Sequence, residues 1–286
     1  MSIVITGATG NLGRLVIEEL LARGQRVAGV VREAEKAADL ATRGVELRVA
    51  DYERPETLHE TFRHGERALL ISSNAMGRNV AHHAAVIEAA GAAGVELLAY
   101  TSVLGGPKAT FAIAEPHIAT ERILGESGLS NVLLRNGWYN ENYTGALPLT
   151  LKTGAVIGCS GNGRVATASR ADYAAAAATI LAGDGHEGAA YELSGDTAWT
   201  LEEYAAEVSR QTGRDIAYQD LSADEYVKLM VDAGVDDASA RPVADADLAI
   251  ARGELAATPG ELSRLIGRPT TTIAESVATA LHNLDA

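Results

Sequence analysis

Ile3-Val4-Ile5-Thr6-Gly7-Ala8-Thr9-Gly10-Asn11-Leu12-Gly13 decides the fold: an apolar strand runs into three glycines spaced by three, and a helical pattern follows at once. Each glycine has its own physical reason. Gly7 permits a tight turn, Gly10 lets backbone approach a pyrophosphate with no Cβ in the way, and Gly13 lets the helix pack closely on the strand. The helix start then offers unpaired amides and positive partial charge to phosphate. A glycine triplet alone is weak evidence. Placed between the first strand and first helix of a βαβ unit, it points to dinucleotide binding by Thr6, Gly7, Ala8, Thr9, Gly10, Asn11, Leu12 and Gly13.

Outward from this segment, strands are expected at 3–6, 26–31, 45–50, 68–72, 97–102 and 132–135, with helices at 12–22, 34–42, 56–62, 80–90 and 117–126. The strands are almost continuously apolar, which suits a parallel sheet covered on both faces. Repeated βα units with short connections imply right-handed crossovers, hence an α/β protein with a Rossmann-type doubly wound parallel sheet. After Arg135 the pattern decays into an aromatic and amide-rich loop, Asn136-Gly137-Trp138-Tyr139-Asn140-Glu141-Asn142-Tyr143. A helix at 172–181 and a strand at 190–193 are expected to rejoin the first sheet, and 201–211, 216–219 and 223–232 read as helix, strand, helix. Helix starts are signalled by Thr258-Pro259-Gly260-Glu261 and by the capping-box spacing Thr272-Ile273-Ala274-Glu275. The expected organisation is an NAD(P)-binding domain over 1–135, rejoined by about 160–195, and a smaller, mostly helical substrate lobe from 136–159 and 196–286.

Of 286 residues, 47% are apolar and 22% charged, the balance of a globular chain. Twenty-four Lys and Arg against 38 Asp and Glu leave a net charge of -14, which disfavours nucleic acid and anionic membranes as partners. One cysteine, Cys159, makes no intramolecular disulfide, no Cys/His cluster has zinc spacing, and no signal peptide or long apolar run is evident, so a cytoplasmic protein is expected.

Candidate ligand residues gather at strand ends, where open α/β sheets bind ligands. Arg32 ends the second strand, where an arginine pairs with the 2′-phosphate of NADP and an acid would bind the ribose of NAD; Arg32 favours NADPH, although Glu33 follows directly and a solvated Arg32 remains open. Asp51 suits either the adenine amino group or a helix cap after Pro55. Ser72, Ser73 and Asn74, with Thr101 and Ser102, fall beside the cofactor or serve only as turn residues. Gly158-Cys159-Ser160-Gly161-Asn162-Gly163 lacks the P-loop lysine, Cys159 reads as a small loop residue, and the pair His82-His83 near a helix start reads as solvent-facing.

With those residues stand Leu70-Ile71-Ser72-Ser73, Ala99-Tyr100-Thr101-Ser102, His117-Ile118-Ala119-Thr120-Glu121, Leu134-Arg135-Asn136-Gly137-Trp138-Tyr139, Ser169-Arg170-Ala171-Asp172-Tyr173-Ala174, Trp199-Thr200-Leu201 and Leu265-Ile266-Gly267. Over essentially its full length the chain resembles the NmrA-like atypical short-chain dehydrogenase/reductase family, in particular its quinone oxidoreductase type 2 and triphenylmethane reductase members. The glycine motif is widely shared; the Arg-Asn-Gly-Trp-Tyr stretch is far more specific. The resemblance implies two lobes with a substrate cleft between them, and hydride transfer from NADPH to a quinone.

Most short-chain dehydrogenases use Tyr-x-x-x-Lys as their proton-transfer pair, and this chain has none: Lys36, Lys108, Lys152 and Lys228 follow Arg32, Leu104, Pro148 and Asp224 by four. The corresponding helix carries His117 and Glu121, one turn apart, so Glu121 is expected to orient the imidazole, whether for catalysis or as a structural pair. A quinone already accepts hydride well, so positioning and oxyanion stabilisation suffice. Expected catalytic residues are His117, Tyr139 and Asn142. Trp138 and Tyr139 suit stacking on a flat acceptor, while Asn136, Gly137, Asn140 and Asn142 suit contact with a carbonyl, with a hinge role open for each. A small-molecule quinone or aromatic acceptor, and no metal, are therefore expected. Reduction of a dye, enone or imine, and a dinucleotide-sensing regulator, remain the alternatives.

Overall fold

The computed structural model describes residues 2–73, 75 and 77–285. In chain order its first part runs β1 (Ser2–Ile5), α1 (Asn11–Ala22), β2 (Arg26–Val31), α2 (Ala38–Thr42), β3 (Glu46–Val49), β4 (Arg67–Leu70), α3 (Asn79–Ala93), β5 (Leu97–Val103), α4 (Ala114–Glu126) and β6 (Asn131–Asn136). It continues with β7 (Trp138–Tyr139), α5 (Glu141–Thr144), α6 (Leu147–Thr153), β8 (Ala155–Gly158), β9 (Val165–Ala168), α7 (Arg170–Ala182), β10 (Ala190–Leu193) and β11 (Ala198–Trp199). The last part is α8 (Leu201–Thr212), β12 (Ala217–Asp220), α9 (Ala223–Asp232), α10 (Asp237–Ala251), α11 (Glu261–Ile266) and α12 (Ile273–Asp285). The chain divides into one compact unit of Met1–Gly106, Pro116–Asn136 and Arg170–Glu192, and a second of Pro107–Glu115, Gly137–Ser169 and Leu193–Ala286.

The first unit holds a seven-stranded sheet in the order β10-β6-β5-β4-β1-β2-β3. The pairings β1 with β2 and β4, β2 with β3, and β5 with β4 and β6 are all parallel. The chain works outward from β1 to β3, then returns to start again at β4, so the order reverses between β1 and β4 and leaves a crevice at their carboxyl ends. Burial matches the apolar runs: all seven residues of β5 are buried. Val4, Leu70 and Tyr100 pack on one face with Val86, Ile87 and Leu124 from α3 and α4. Ile3 and Ile5, alternating with Val4, point to the opposite face. There α1 and α7 pack together, and Arg23 of α1 donates to Thr179 Oγ1 at 3.0 Å. Each fully buried Leu, Ile or Val contributes about 1.5–3 kcal/mol.

At the opposite edge of the sheet a buried ion pair fixes β3 against the segment entering β4. Arg48 donates through both terminal nitrogens to Glu66, each at 2.7 Å, and to the Thr61 carbonyl at 2.6 Å. Glu66 also accepts from Ser2 Oγ at 2.6 Å and from the Arg63 amide at 2.9 Å. Burial alone would raise the Glu66 carboxyl, but Arg48, Ser2 and the Arg63 amide hold it below its ordinary value.

The second unit contains a small sheet β11-β9-β7 and a two-stranded parallel pair β12-β8. Helices α8, α9 and α12 start with side-chain caps: Thr200 with Glu203, Ser222 with Glu225, and Thr272 with Glu275. Three expectations need correction. Thr258 caps nothing: α11 starts after Gly260, whose φ of +71° is a left-handed turn that glycine adopts without strain. Residues 56–62 form only a 3-10 turn over Pro55–Leu58, because Thr57 Oγ1 accepts from the Asp51 amide and donates to the Arg54 carbonyl, competing with a longer helix. The 136–143 loop is partly regular: β7 pairs parallel with β9, and α5 follows. No helix among the described residues is long and apolar enough to cross a membrane.

Glu66→Ala would leave the buried Arg48 guanidinium with Glu46, at 3.2 Å, as its remaining carboxylate partner, so urea unfolding should show a loss of about 1.5–3 kcal/mol, the scale of a lost charged hydrogen bond. Because the folded Glu66 carboxyl titrates below the ordinary 4.5, its stabilisation is present above that pH and is lost on further acidification. An unchanged urea midpoint would contradict this role.

Candidate active site

The glycine loop is shaped by close approach. Gly7 turns with a φ of +60°, and its carbonyl accepts from the Gly10 amide at 2.9 Å. A Cβ on Gly13 would lie 2.3 Å from that carbonyl oxygen, so only hydrogen fits there. Gly10 itself has ordinary extended backbone, φ -74° and ψ 164°, and leaves α1 without a side-chain cap. The first turn of α1 carries no acidic residue, so its amides and dipole face outward unopposed. Thr9, Gly10 and Asn11 are exposed there, while Thr6, Ala8, Leu12 and Gly13 are buried beneath. Arg14 flanks the loop, its Nε donating to the Thr9 carbonyl at 3.3 Å and its guanidinium paired with Asp39.

Arg32 is exposed at the end of β2, and no carboxylate among the described residues pairs with it. Glu33, the residue positioned to oppose an anion, is held by Lys36 at 2.7 Å. Asp51 accepts from the Glu53 amide at 3.1 Å and faces Arg54 at 3.5 Å, the arrangement of a local turn. Its neighbour Tyr52 places its phenol near Thr6 and the Gly7 backbone, and burial raises it above the ordinary value.

The segment leaving β4 is held amide by amide. Ile71 N donates to Thr6 Oγ1 at 3.0 Å, Ser72 N to Thr101 Oγ1 at 2.8 Å, and Ser73 N to His83 Nε2 at 2.9 Å. Asn74 lies outside the described residues. The expectation of solvent-facing His82 and His83 is wrong: both are buried, since α3 turns that side of its first turns onto the sheet. His83 also bonds Thr120 Oγ1 at 2.8 Å, and burial, then the neighbouring His117 and His82, bring its pKa down to about 4.

His117 is not oriented by Glu121. Its Nδ1 meets the Tyr100 hydroxyl at 3.1 Å, and burial lowers its pKa to about 4 although Glu121 nearby acts the other way. Burial likewise pushes Tyr100 up to about 12, so this phenol keeps its proton. Glu121 is engaged elsewhere: Arg135 grips both carboxylate oxygens, at 2.9 and 2.8 Å, and Ser102 Oγ donates to it at 2.6 Å. The bidentate arginine outcompetes a neutral imidazole for the carboxylate. Arg135 also binds Glu192 at 2.9 Å.

In the first unit the structure thus gathers the glycine loop, Tyr52, the β4 exit and the Tyr100–His117 pair along the carboxyl edge of the sheet, with Asn136 buried at the end of β6. Gly137, Trp138, Tyr139 and Asn142 belong to the second unit. Trp138 and Tyr139 are half-buried on β7, the Gly137 amide donates to the Leu193 carbonyl at 2.7 Å, and Asn142 is exposed on α5. Asn140 does not serve a carbonyl ligand through its amide nitrogen: it is fully buried and donates to the Thr271 carbonyl at 3.0 Å and Ser276 Oγ at 2.8 Å. Tyr143 packs edge-on against Trp199, ring centroids 4.7 Å apart. Cys159 is buried, its thiol pushed up to about 12 by burial and then Asp247, which fits an unreactive loop residue.

An NAD(P)H-binding family model matches residues 7–184. The chain belongs to the NAD(P)H-binding family. It is 45% identical to quinone oxidoreductase 2 of Escherichia coli (strain K12) over 278 residues, 96% of this chain and 97% of that one. Among solved structures it is similar to the Escherichia coli NADPH-dependent quinone oxidoreductase complexed with NADPH, with a TM-score of 0.95, 44% identity, and 98% and 99% of the two chains covered. The Citrobacter sp. triphenylmethane reductase complexed with NADP(H) gives a TM-score of 0.93 and 35% identity, covering 98% of this chain and 100% of that one. The family and the Rossmann-type fold expected from the glycine segment are thereby established.

Sequence reading of this NAD(P)H-binding protein gave no role to Arg14, Tyr52 or Tyr100 and misread His83. Arg14 directly follows the motif and was open to notice. The other three act through contacts across strands and helices that no local spacing encodes. Because His83 and His117 titrate below the ordinary 6.5 when folded, the unfolded chain takes their protons first, and this stabilisation, whole above pH 6.5, is lost as pH falls toward about 4. An NMR titration should find both rings neutral down to about pH 5. Midpoints near 6.5 would contradict the burial described.

Proposed function

We propose that this protein is an NADPH-dependent reductase that delivers hydride directly, without flavin, to a quinone or a similar flat aromatic acceptor. The observation that carries the cofactor part is the uncapped start of α1, pressed so tightly on the Gly7 carbonyl that residue 13 has room for no Cβ. That cradle fits a pyrophosphate. Arg32, with Glu33 neutralised by Lys36, fits a 2′-phosphate. The acceptor part rests on similarity to the Escherichia coli quinone oxidoreductase.

When bound, NADPH supplies a hydride from its nicotinamide ring. Thr6, Gly7, Ala8, Thr9, Gly10, Asn11, Leu12, Gly13, Arg32 and Asp51, with Ser72, Ser73, Asn74, Thr101 and Ser102, are the residues we assign to holding it. Thr6 and Thr101 do so indirectly, through the Ile71 and Ser72 amides that they fix. For the acceptor we assign Asn136, Gly137, Trp138, Tyr139 and Asn142: aromatic faces to stack, amides to hydrogen-bond the carbonyl oxygen. A quinone that gains hydride becomes a hydroquinone monoanion and needs one proton. His117 and Tyr139 are the proposed donors, with the Tyr100 phenol behind His117. The cytoplasm is the proposed compartment.

Purified protein should oxidise NADPH faster than NADH with benzoquinone or menadione, and a triphenylmethane dye is the second acceptor class to run beside them. Arg32→Ala should reduce the preference for NADPH about 10-fold or more, the scale of a lost charged hydrogen bond. Nucleotide binding with no acceptor-dependent oxidation would favour a dinucleotide sensor instead. Unchanged turnover in both Trp138→Ala and Asn142→Ala would remove those residues from the acceptor site.

A further inference from the structure

Ser73 N–H donates to His83 Nε2 at 2.9 Å, so that ring nitrogen carries a lone pair and the proton of the neutral ring sits on Nδ1. Nδ1–H then donates to Thr120 Oγ1 at 2.8 Å, and the Thr120 hydroxyl passes its own proton to the Pro116 carbonyl at 2.8 Å. Every donor in this chain is used once and every direction is determined. His83 and Thr120 are both 0% exposed, and the bond between them is buried. The chain starts at the segment leaving β4 and ends one residue before His117, in the first turns of α4. Tyr100 lies against it as well, edge-on to His83 with ring centroids 5.5 Å apart and bonded to His117.

We infer that His83 is a positioning residue for cofactor binding: locked as the Nδ1–H tautomer between Ser73 and Thr120, it holds the β4 exit at a fixed distance from the His117 end of α4. This rests on the assignment of Ser72, Ser73 and Asn74 to the NADPH site. The Ile71 and Ser72 amides are held by the hydroxyls of Thr6, directly after β1, and of Thr101 in β5, which the sheet itself fixes. The Ser73 amide is the one held from a helix, so the end of the segment is placed by α3 and α4 jointly. A histidine suits this work because it spans two partners with one rigid ring, accepting at one nitrogen and donating at the other. Burial keeps that ring neutral, as the acceptor role requires.

The test compares NADPH affinity, kcat and KM for wild type, His83→Ala, His83→Gln and Thr120→Val, with the His83 tautomer read by nitrogen NMR in the wild-type protein. His83→Ala should weaken NADPH binding about 10-fold, the scale of one or two lost buried hydrogen bonds. The change should appear in the KM for NADPH, with kcat for menadione held within about 2-fold. His83→Gln, whose amide oxygen stands where Nε2 accepts, should recover most of the affinity; a residue that merely fills space would be rescued equally by Leu. Thr120→Val should shift KM in the same direction and add little to His83→Ala, since both cut one chain. The wild-type ring should show an unprotonated Nε2 and respond to NADPH. An Nε2–H tautomer, or wild-type affinity in Thr120→Val and His83→Ala, would overturn the inference; the tautomer decides it even where His83→Ala does not fold. Absence of NADPH binding by wild type would instead reject the cofactor assignment.

Discussion

At Gly13 a hydrogen atom is all that separates α1 from the Gly7 carbonyl, and the rest of the ligand-binding edge depends on that approach. It brings the start of α1 down onto the end of β1, so that uncapped amides face the point where the strand order reverses between β1 and β4. It also puts Thr6 under the β4 exit and Tyr52 against the loop. A side chain at position 13 would lift the helix and undo these contacts together. The constraint is one of volume, which is why it can be read from three letters of sequence.

Legibility elsewhere followed the range of the interaction. Strands β1, β2 and β5 and helix α7 were readable because burial on both faces leaves a local record in composition, and α1 because its buried residues recur on one helical face. The Thr272–Glu275 box was readable because both partners lie within one turn. Thr258 misled because its hydroxyl-Pro-Gly pattern resembles a cap, while the left-handed Gly260 sets the real start. His82 and His83 misled because two polar rings in sequence look solvated, and only the packing of α3 on the sheet buries them. The His117–Glu121 spacing was geometrically sound, yet Arg135, distant in sequence, takes the carboxylate.

That last exchange reshapes the carboxyl edge of the sheet. Where most short-chain dehydrogenases place a lysine, this chain has a carboxylate, Glu121, bound by Arg135 and Ser102, in place of a cation that would lower a phenol. Burial holds His117 neutral and raises the Tyr100 phenol still further above neutral pH. Such a site is poor at withdrawing a proton from an alcohol, which calls for a base. It suits an acceptor that needs hydride first and a proton afterwards. The net charge of -14 fits the same picture: under the proposed assignment, backbone amides at one helix start and Arg32, which pairs with no carboxylate among the described residues, suffice for a single dinucleotide without a basic surface.

In the proposed site the glycine loop serves the pyrophosphate through its backbone, and Gly10→Ala separates that role from folding. Residue 10 has ordinary φ and ψ, and a Cβ there meets only the Gly7 carbonyl at 3.2 Å, so the variant should fold with nearly wild-type thermal stability. Calorimetric titration with NADPH should nevertheless show affinity reduced by about 100-fold, because the methyl group occupies the space the phosphates need. Wild-type NADPH affinity in a folded Gly10→Ala protein would contradict the account.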